Sequence, residues 1–180
     1  MKSIMISIKP KYVAKILNGE KTIEIRKTCP AIFKHLKSYE AASLDVYIYC
    51  TKEKPNLWLP YEYDCFELDE ASQPYLSDKP IIDIDRKMNG KVVAKFTLRK
   101  IKQVSIWDDE LETETLTPAC LDFLEFDKYT KGQVGYAWHI SNLEIFDEPK
   151  GLNEFSNCDK YPYTRYIGKA PQSWCYVEVE

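Results

Sequence analysis

Lys21, Glu24 and Arg26 fall close together in the stretch Gly19-Glu20-Lys21-Thr22-Ile23-Glu24-Ile25-Arg26-Lys27. An ammonium, a carboxylate and a guanidinium at this spacing can bond one another or clamp a polar ligand between them. In an extended strand Thr22, Glu24 and Arg26 share one side, and Ile23 and Ile25 take the other. The isoleucines then belong to a core, and the charges face whatever lies opposite it. Lys21 breaks the alternation. It sits either in the turn that enters the strand after Gly19 or on a bulge that swings it round. The plainer reading is a solvated strand face carrying an ordinary Glu–Arg pair, a common and weak arrangement.

The preceding residues are suited to positioning this stretch. Ile4, Ile6 and Ile8 alternate with Met5 and Ser7, predicting a largely buried first strand. Pro10 fits the first turn of a helix, and Val13, Ile16 and Leu17 follow on one face, with Lys9, Lys11 and Lys15 on the others. Asn18-Gly19 ends that helix, because glycine accepts the left-handed conformation of a C-terminal cap. Strand, helix, glycine stop and charged strand form one unit that holds Lys21 and Glu24 at a fixed angle to the helix end.

The pattern Gly-x-Lys-x-x-Glu-x-Arg, carried by Gly19, Lys21, Glu24 and Arg26, resembles the signature of the ASCH domain, a family that shares the PUA-like β-barrel. Strands expected at Val46–Thr51, Gly90–Phe96, Tyr136–Ile140 and Pro171–Tyr176 resemble, in order, those of small bacterial and phage members. The resemblance implies an α+β fold: a mixed β-barrel with two or three helices, in one domain spanning 1–180, with an irregular insertion at about 52–89. It further implies a cleft for single-stranded RNA or a modified nucleoside or nucleotide. The candidate ligand-binding set is Gly19, Lys21, Thr22, Glu24, Arg26, Lys95 and Trp138. Some ASCH-like proteins are amidohydrolases acting on acetylcytidine, with a threonine nucleophile where this chain has Glu24; only the lysine carries over, to Lys21. If the chain is an enzyme of that kind, or a ribonuclease, Lys21 and Glu24 are the clustered acid–base candidates. A third reading is a regulatory protein of a phage or mobile element, with the insertion as contact surface for a protein partner.

Composition narrows the field. A chain of 180 residues, 44% hydrophobic and 13% aromatic, can bury one good core. Net charge −3 argues against a surface coated for long nucleic acid, while leaving room for a local basic cleft. The N-terminus is too briefly apolar for a secretory signal, and no run approaches membrane-spanning length. Six cysteines stand singly with no Cys-x-x-Cys pair, which reads as reduced thiols and a cytoplasmic protein. Two histidines exclude a multi-histidine metal site, and no metal or cofactor is expected.

The remaining segments supply secondary candidates. Lys91 to Val104 alternates as a long strand whose Lys95, Arg99, Lys100 and Lys102 form either a second wall of the cleft or a lysine-blunted edge. Aromatic residues in 52–89 and the tyrosines of 150–169 either stack on bases or pack their loops down. Ile81–Ile84 is a possible short strand. A helix is expected from Thr117, with Cys120, Leu121 and Leu124 buried. Cys50 reads as a packed thiol, and His139 as a core or edge histidine bonded to backbone.

Overall fold

β-Branched alternation at Ile4, Ile6 and Ile8 produces the first strand, β1 (Ser3–Ile8), buried along nearly its whole length. Pro10 opens helix α1 (Pro10–Leu17), whose Val13, Ile16 and Leu17 enter the main core. Gly19 follows at φ +77° with nothing near its missing Cβ. The left-handed backbone, and not crowding, therefore calls for glycine there. The chain then runs through β2 (Ile23–Arg26), the single turn α2 (Ala31–Lys34) and β3 (Leu44–Cys50). Two short strands, β4 (Asn56–Leu57) and β5 (Leu68–Asp69), precede the long β6 (Val92–Val104). A π-helical turn (Glu112–Leu116) leads into the short turn α3 (Thr117–Ala119) and helix α4 (Phe123–Thr130). Strands β7 (Gly135–Lys150), β8 (Phe155–Asn157) and β9 (Trp174–Val179) complete the chain. This computed structural model describes residues 2–34, 42–59, 66, 68–69, 86–158 and 166–179.

Seven strands form one mixed sheet in the order β2-β7-β6-β3-β1-β9-β8, with β1 parallel to β3 and the other pairs antiparallel. The α+β architecture is as expected, but the sheet is not closed into a barrel. It curls instead. The Arg26 Nη2 of end strand β2 donates to the Ser7 carbonyl of β1 at 2.8 Å, although three strands separate the two in the sheet. Trp174 of β9 packs on Trp138 of β7 with ring centroids 5.9 Å apart, and its indole N–H donates to Thr28 Oγ1. Side chains thus draw the two sides of the sheet together where no backbone ladder does.

The inner face of the curl holds Ile4, Ile6, Val46, Ile48, Phe96 and Trp138 against α1. The outer face carries two separate clusters. Ile23, Ile25, Val104 and Ala137 are covered by Leu116, Ala119 and Phe126 of the helical segment. At the other end Met5, Tyr47, Val92 and Val177 pack with Phe155 and Ile167. Burying each such side chain contributes about 1.5–3 kcal/mol.

Three local expectations are revised. The helix begun at Thr117 stops after one turn, because Cys120 takes a left-handed conformation at φ +51°. Asp122 then caps a new helix through a reciprocal capping box with Glu125. The restart changes the phase, so Phe126 and Thr130 are buried while Leu124 is 76% exposed. Among the described residues there are accordingly four α-helical segments, where two or three helices were expected. The insertion carries structure of its own. β4 pairs with β5, Trp58 bridges to Lys87, and Leu57 and Met88 are fully buried in the main core. The suggested strand at Ile81–Ile84 lies outside the described residues. Among those residues, no helix is long and apolar enough to cross a membrane.

Candidate functional site

Lys21 sits in the entry turn, not on a bulge. The Glu20 and Lys21 amides both donate to the Lys15 carbonyl, continuing the helix end into the strand. A turn from much later in the chain, α3 and Cys120, clasps this segment at three points. The Thr22 amide donates to the Pro118 carbonyl, the Cys120 thiol points to the Glu20 carbonyl, and Lys21 Nζ donates to the Ala119 carbonyl at 2.6 Å. Ninety-eight residues separate Lys21 from Ala119, so the tertiary fold, not local sequence, aims this ammonium.

On β2 the alternation behaves as the sequence predicts. Ile23 and Ile25 enter the outer cluster, and Glu24 and Arg26 turn to the inner face. Glu24 lies directly opposite Trp138 in the β2–β7 pairing. Its Oε2 meets Lys21 Nζ at 3.2 Å and its Oε1 meets Arg26 Nη2 at 3.0 Å. Residue exposures of 2%, 8% and 7% for Lys21, Glu24 and Arg26 exclude the solvated-pair reading. Removing three ions from water costs several kcal/mol each, and hydrogen bonds to the Ala119 and Ser7 carbonyls help offset that cost. Two cations share one carboxylate, which leaves the group net positive.

Two N–H donors on this same face have no partner among the described residues: Arg26 Nε and the indole Nε1 of Trp138, whose side chain is wholly buried. Buried donors are nearly always paired, so two unpaired ones beside a net positive network mark a place where acceptors would be held.

Because β2 ends the sheet, helices α1 and α4 meet past its free edge. Tyr12 OH donates to Glu125 Oε1 at 3.5 Å, and Lys11 pairs with the same oxygen. The Tyr12 ring lies 5.3 Å from Lys21 Nζ. One turn along α4 from Glu125, Tyr129 presents its ring to Lys27, whose Nζ lies 4.9 Å from the ring centroid. Burial, the larger influence, and the Glu24 charge still push this phenol's pKa up, which keeps it protonated. Tyr12 and Tyr129 were absent from the sequence-based set. Only the Asp122-x-x-Glu125 capping pattern hinted at the helix phase that brings Tyr129 here.

Of the expected site residues, Lys21, Glu24, Arg26 and Trp138 come together. Gly19 shapes the entry turn, and Thr22 is exposed and contributes through its backbone. Lys95 does not join them. It sits opposite Tyr47 on the outer face and pairs with Glu144 at 3.0 Å. Cys50 is a packed thiol, its pKa pushed up to about 12, chiefly by burial. His139 Nε2 lacks a partner among the described residues, and burial followed by the charges of Lys100 and Lys102 lowers its pKa.

No family model matches the chain, and no curated protein matches it. Solved structures do. The ASCH protein of Zymomonas mobilis superposes with a TM-score of 0.56 at 18% identity, over 98% of this chain and 87% of that one. A single-substitution variant of the same protein gives 0.57 at 18% identity, over 99% and 91%. At that identity the likeness concerns architecture, and the chain has the ASCH-domain fold, of PUA-like α+β type.

Proposed function

We propose that this chain binds single-stranded RNA or a nucleotide-like ligand at the edge of β2, through Lys21, Arg26 and Trp138, with Glu24 holding the two cations in place. The observation that supports this most directly is the buried, net positive Lys21–Glu24–Arg26 group beside two unpartnered N–H donors. A phosphate or carbonyl oxygen would pair with those donors and offset the surplus charge. The ASCH-domain fold is compatible with this reading, and the overall negative charge limits it to a small footprint. Glu24 is assigned a positioning role, since each of its oxygens already faces a cation. Thr22, the neighbouring hydroxyl, is exposed and outside the group.

The test is a titration of the full chain with short single-stranded RNAs and with nucleotides, followed by NMR of the four tryptophan indole N–H signals. Trp138→Phe identifies the relevant signal. Saturable displacement of that signal is expected, with a log–log salt slope of about −0.7, the value for one phosphate contact on a single strand. Arg26→Gln should abolish the displacement, provided circular dichroism shows the variant folded. An unmoved Trp138 signal with every ligand would overturn the reading. Product analysis of parallel mixtures with acylated cytidines should show unchanged ligand; conversion would replace binding by hydrolysis.

A further inference from the structure

An aromatic row leaves the charged group and runs outward along the inner face. Its deep end is Trp138, wholly buried and opposite Glu24. Trp174 packs on it with ring centroids 5.9 Å apart, and Tyr176 meets Trp174 edge-on at 5.5 Å. Register keeps both β9 rings on the inner face, because Trp174 lies opposite Ile6 and Tyr176 opposite Ile4, and both isoleucines belong to the main core. Trp174 is committed to the seam by its bond to Thr28 and its packing on Trp138. Tyr176 differs. It is half-buried, and the ammonium of the exposed Lys2 lies over its ring, 3.9 Å from the centroid. A flexible surface side chain, not the core, covers that face of the ring. Glu178, next along β9 on the same side, is exposed and its carboxylate repels phosphate, so the row ends at Tyr176.

We infer that the Tyr176 face beneath Lys2 is a stacking platform for one base of the bound strand. This rests on the binding reading above and extends it. Arg26 and Trp138 take an acceptor oxygen, and Tyr176 takes a π-face, so the ligand class is one that carries both: a nucleotide or short single strand, and not a bare oxyanion. Stacking on a base outweighs a solvent-exposed cation–π contact, so an arriving base displaces the Lys2 ammonium from the ring. Every base has a π-face, which makes the platform tolerant of sequence.

Calorimetric titration of the full chain with a uridine tetranucleotide, and with ribose 5-phosphate, which carries an anion without a base, tests this in wild type, Tyr176→Leu and Tyr176→Phe. Leucine keeps an apolar contact with the core and removes the π-face; phenylalanine keeps both. Tetranucleotide affinity should fall about tenfold in Tyr176→Leu, the size expected for one stacked base, and stay within about twofold of wild type in Tyr176→Phe. Ribose 5-phosphate should not distinguish the three chains, and NMR should show the Tyr176 ring protons moving upfield with the tetranucleotide alone. Undiminished tetranucleotide binding in Tyr176→Leu, with the Trp138 signal still displaced, would overturn the platform and leave the binding site standing. So would equal losses for both ligands, or a loss in Tyr176→Phe as large as in Tyr176→Leu, since either marks disturbed packing and not a lost stack. A Trp138 signal unmoved by these ligands and by the RNAs used above would overturn the binding reading itself, and the platform with it.

Discussion

The two faces of the curled sheet treat the same kind of charge in opposite ways. On the inner face Arg26 and Lys21 are buried, share one carboxylate and leave donors unpaired. On the outer face Lys95 meets Glu144 at nearly the same distance, 3.0 Å, with side-chain exposures of 30% and 60%. Water screens the outer pair, whose strength is that of an ordinary surface contact. Water is largely absent from the inner group, where attraction, desolvation and unpaired donors all carry more weight. Distance alone therefore says little about what an ion pair does; the face of the strand decides.

The largest expected effect is on the inner face. Glu24→Ala leaves two buried cations without their carboxylate and should cost about 3–5 kcal/mol of stability, read from the urea midpoint. A loss below about 1 kcal/mol would erase the contrast, since the inner group would then behave like a surface pair. His139 provides an intermediate case. Its pKa is lowered in the folded chain, so the unfolded state takes up the proton first as pH falls below the ordinary value of 6.5. Stability should be flat above that pH and decline below it, and His139→Gln should flatten part of the decline in melting temperature. A decline unchanged by the substitution would show that neither burial nor the charges of Lys100 and Lys102 perturb the ring. The smallest effect belongs to the outer face, where Lys95→Ala should change stability by less than about 1 kcal/mol and leave ligand binding intact. Lost binding in that variant would return Lys95 to the site and break the two-face distinction.

Much of this was legible in the chain. The alternation Ile23-Glu24-Ile25-Arg26 places the charges on one face, and Asn18-Gly19 stops the helix where needed, because both depend on local backbone periodicity. The resemblance carried by Gly19, Lys21, Glu24 and Arg26 led to the right fold. Other features were not legible, because they depend on which strands become neighbours. Alternation puts Lys95 on the face opposite to Phe96, yet only the β3-β6-β7 pairing shows that this face looks away from Glu24. The Ala119 and Ser7 carbonyls are backbone atoms, which leave no residue-type signal at all. Tyr129 depended on helix phase, and the Asp122–Glu125 box that sets it lies inside the single helix expected from Thr117. Sheet closure is a matter of long-range order, and the strand pattern alone did not distinguish a curled sheet from a barrel.

The contact from Arg26 to the Ser7 carbonyl has a mechanical consequence. A ladder of backbone bonds fixes two strands in register along their whole length, so that sliding breaks many contacts together. A single guanidinium acts more like a rivet: it pins β2 to β1 at one point and, like the Trp174 contacts beside it, sets no register along the seam. Its hold is governed by charge and water instead of chain alignment, and one substitution at position 26 removes it entirely.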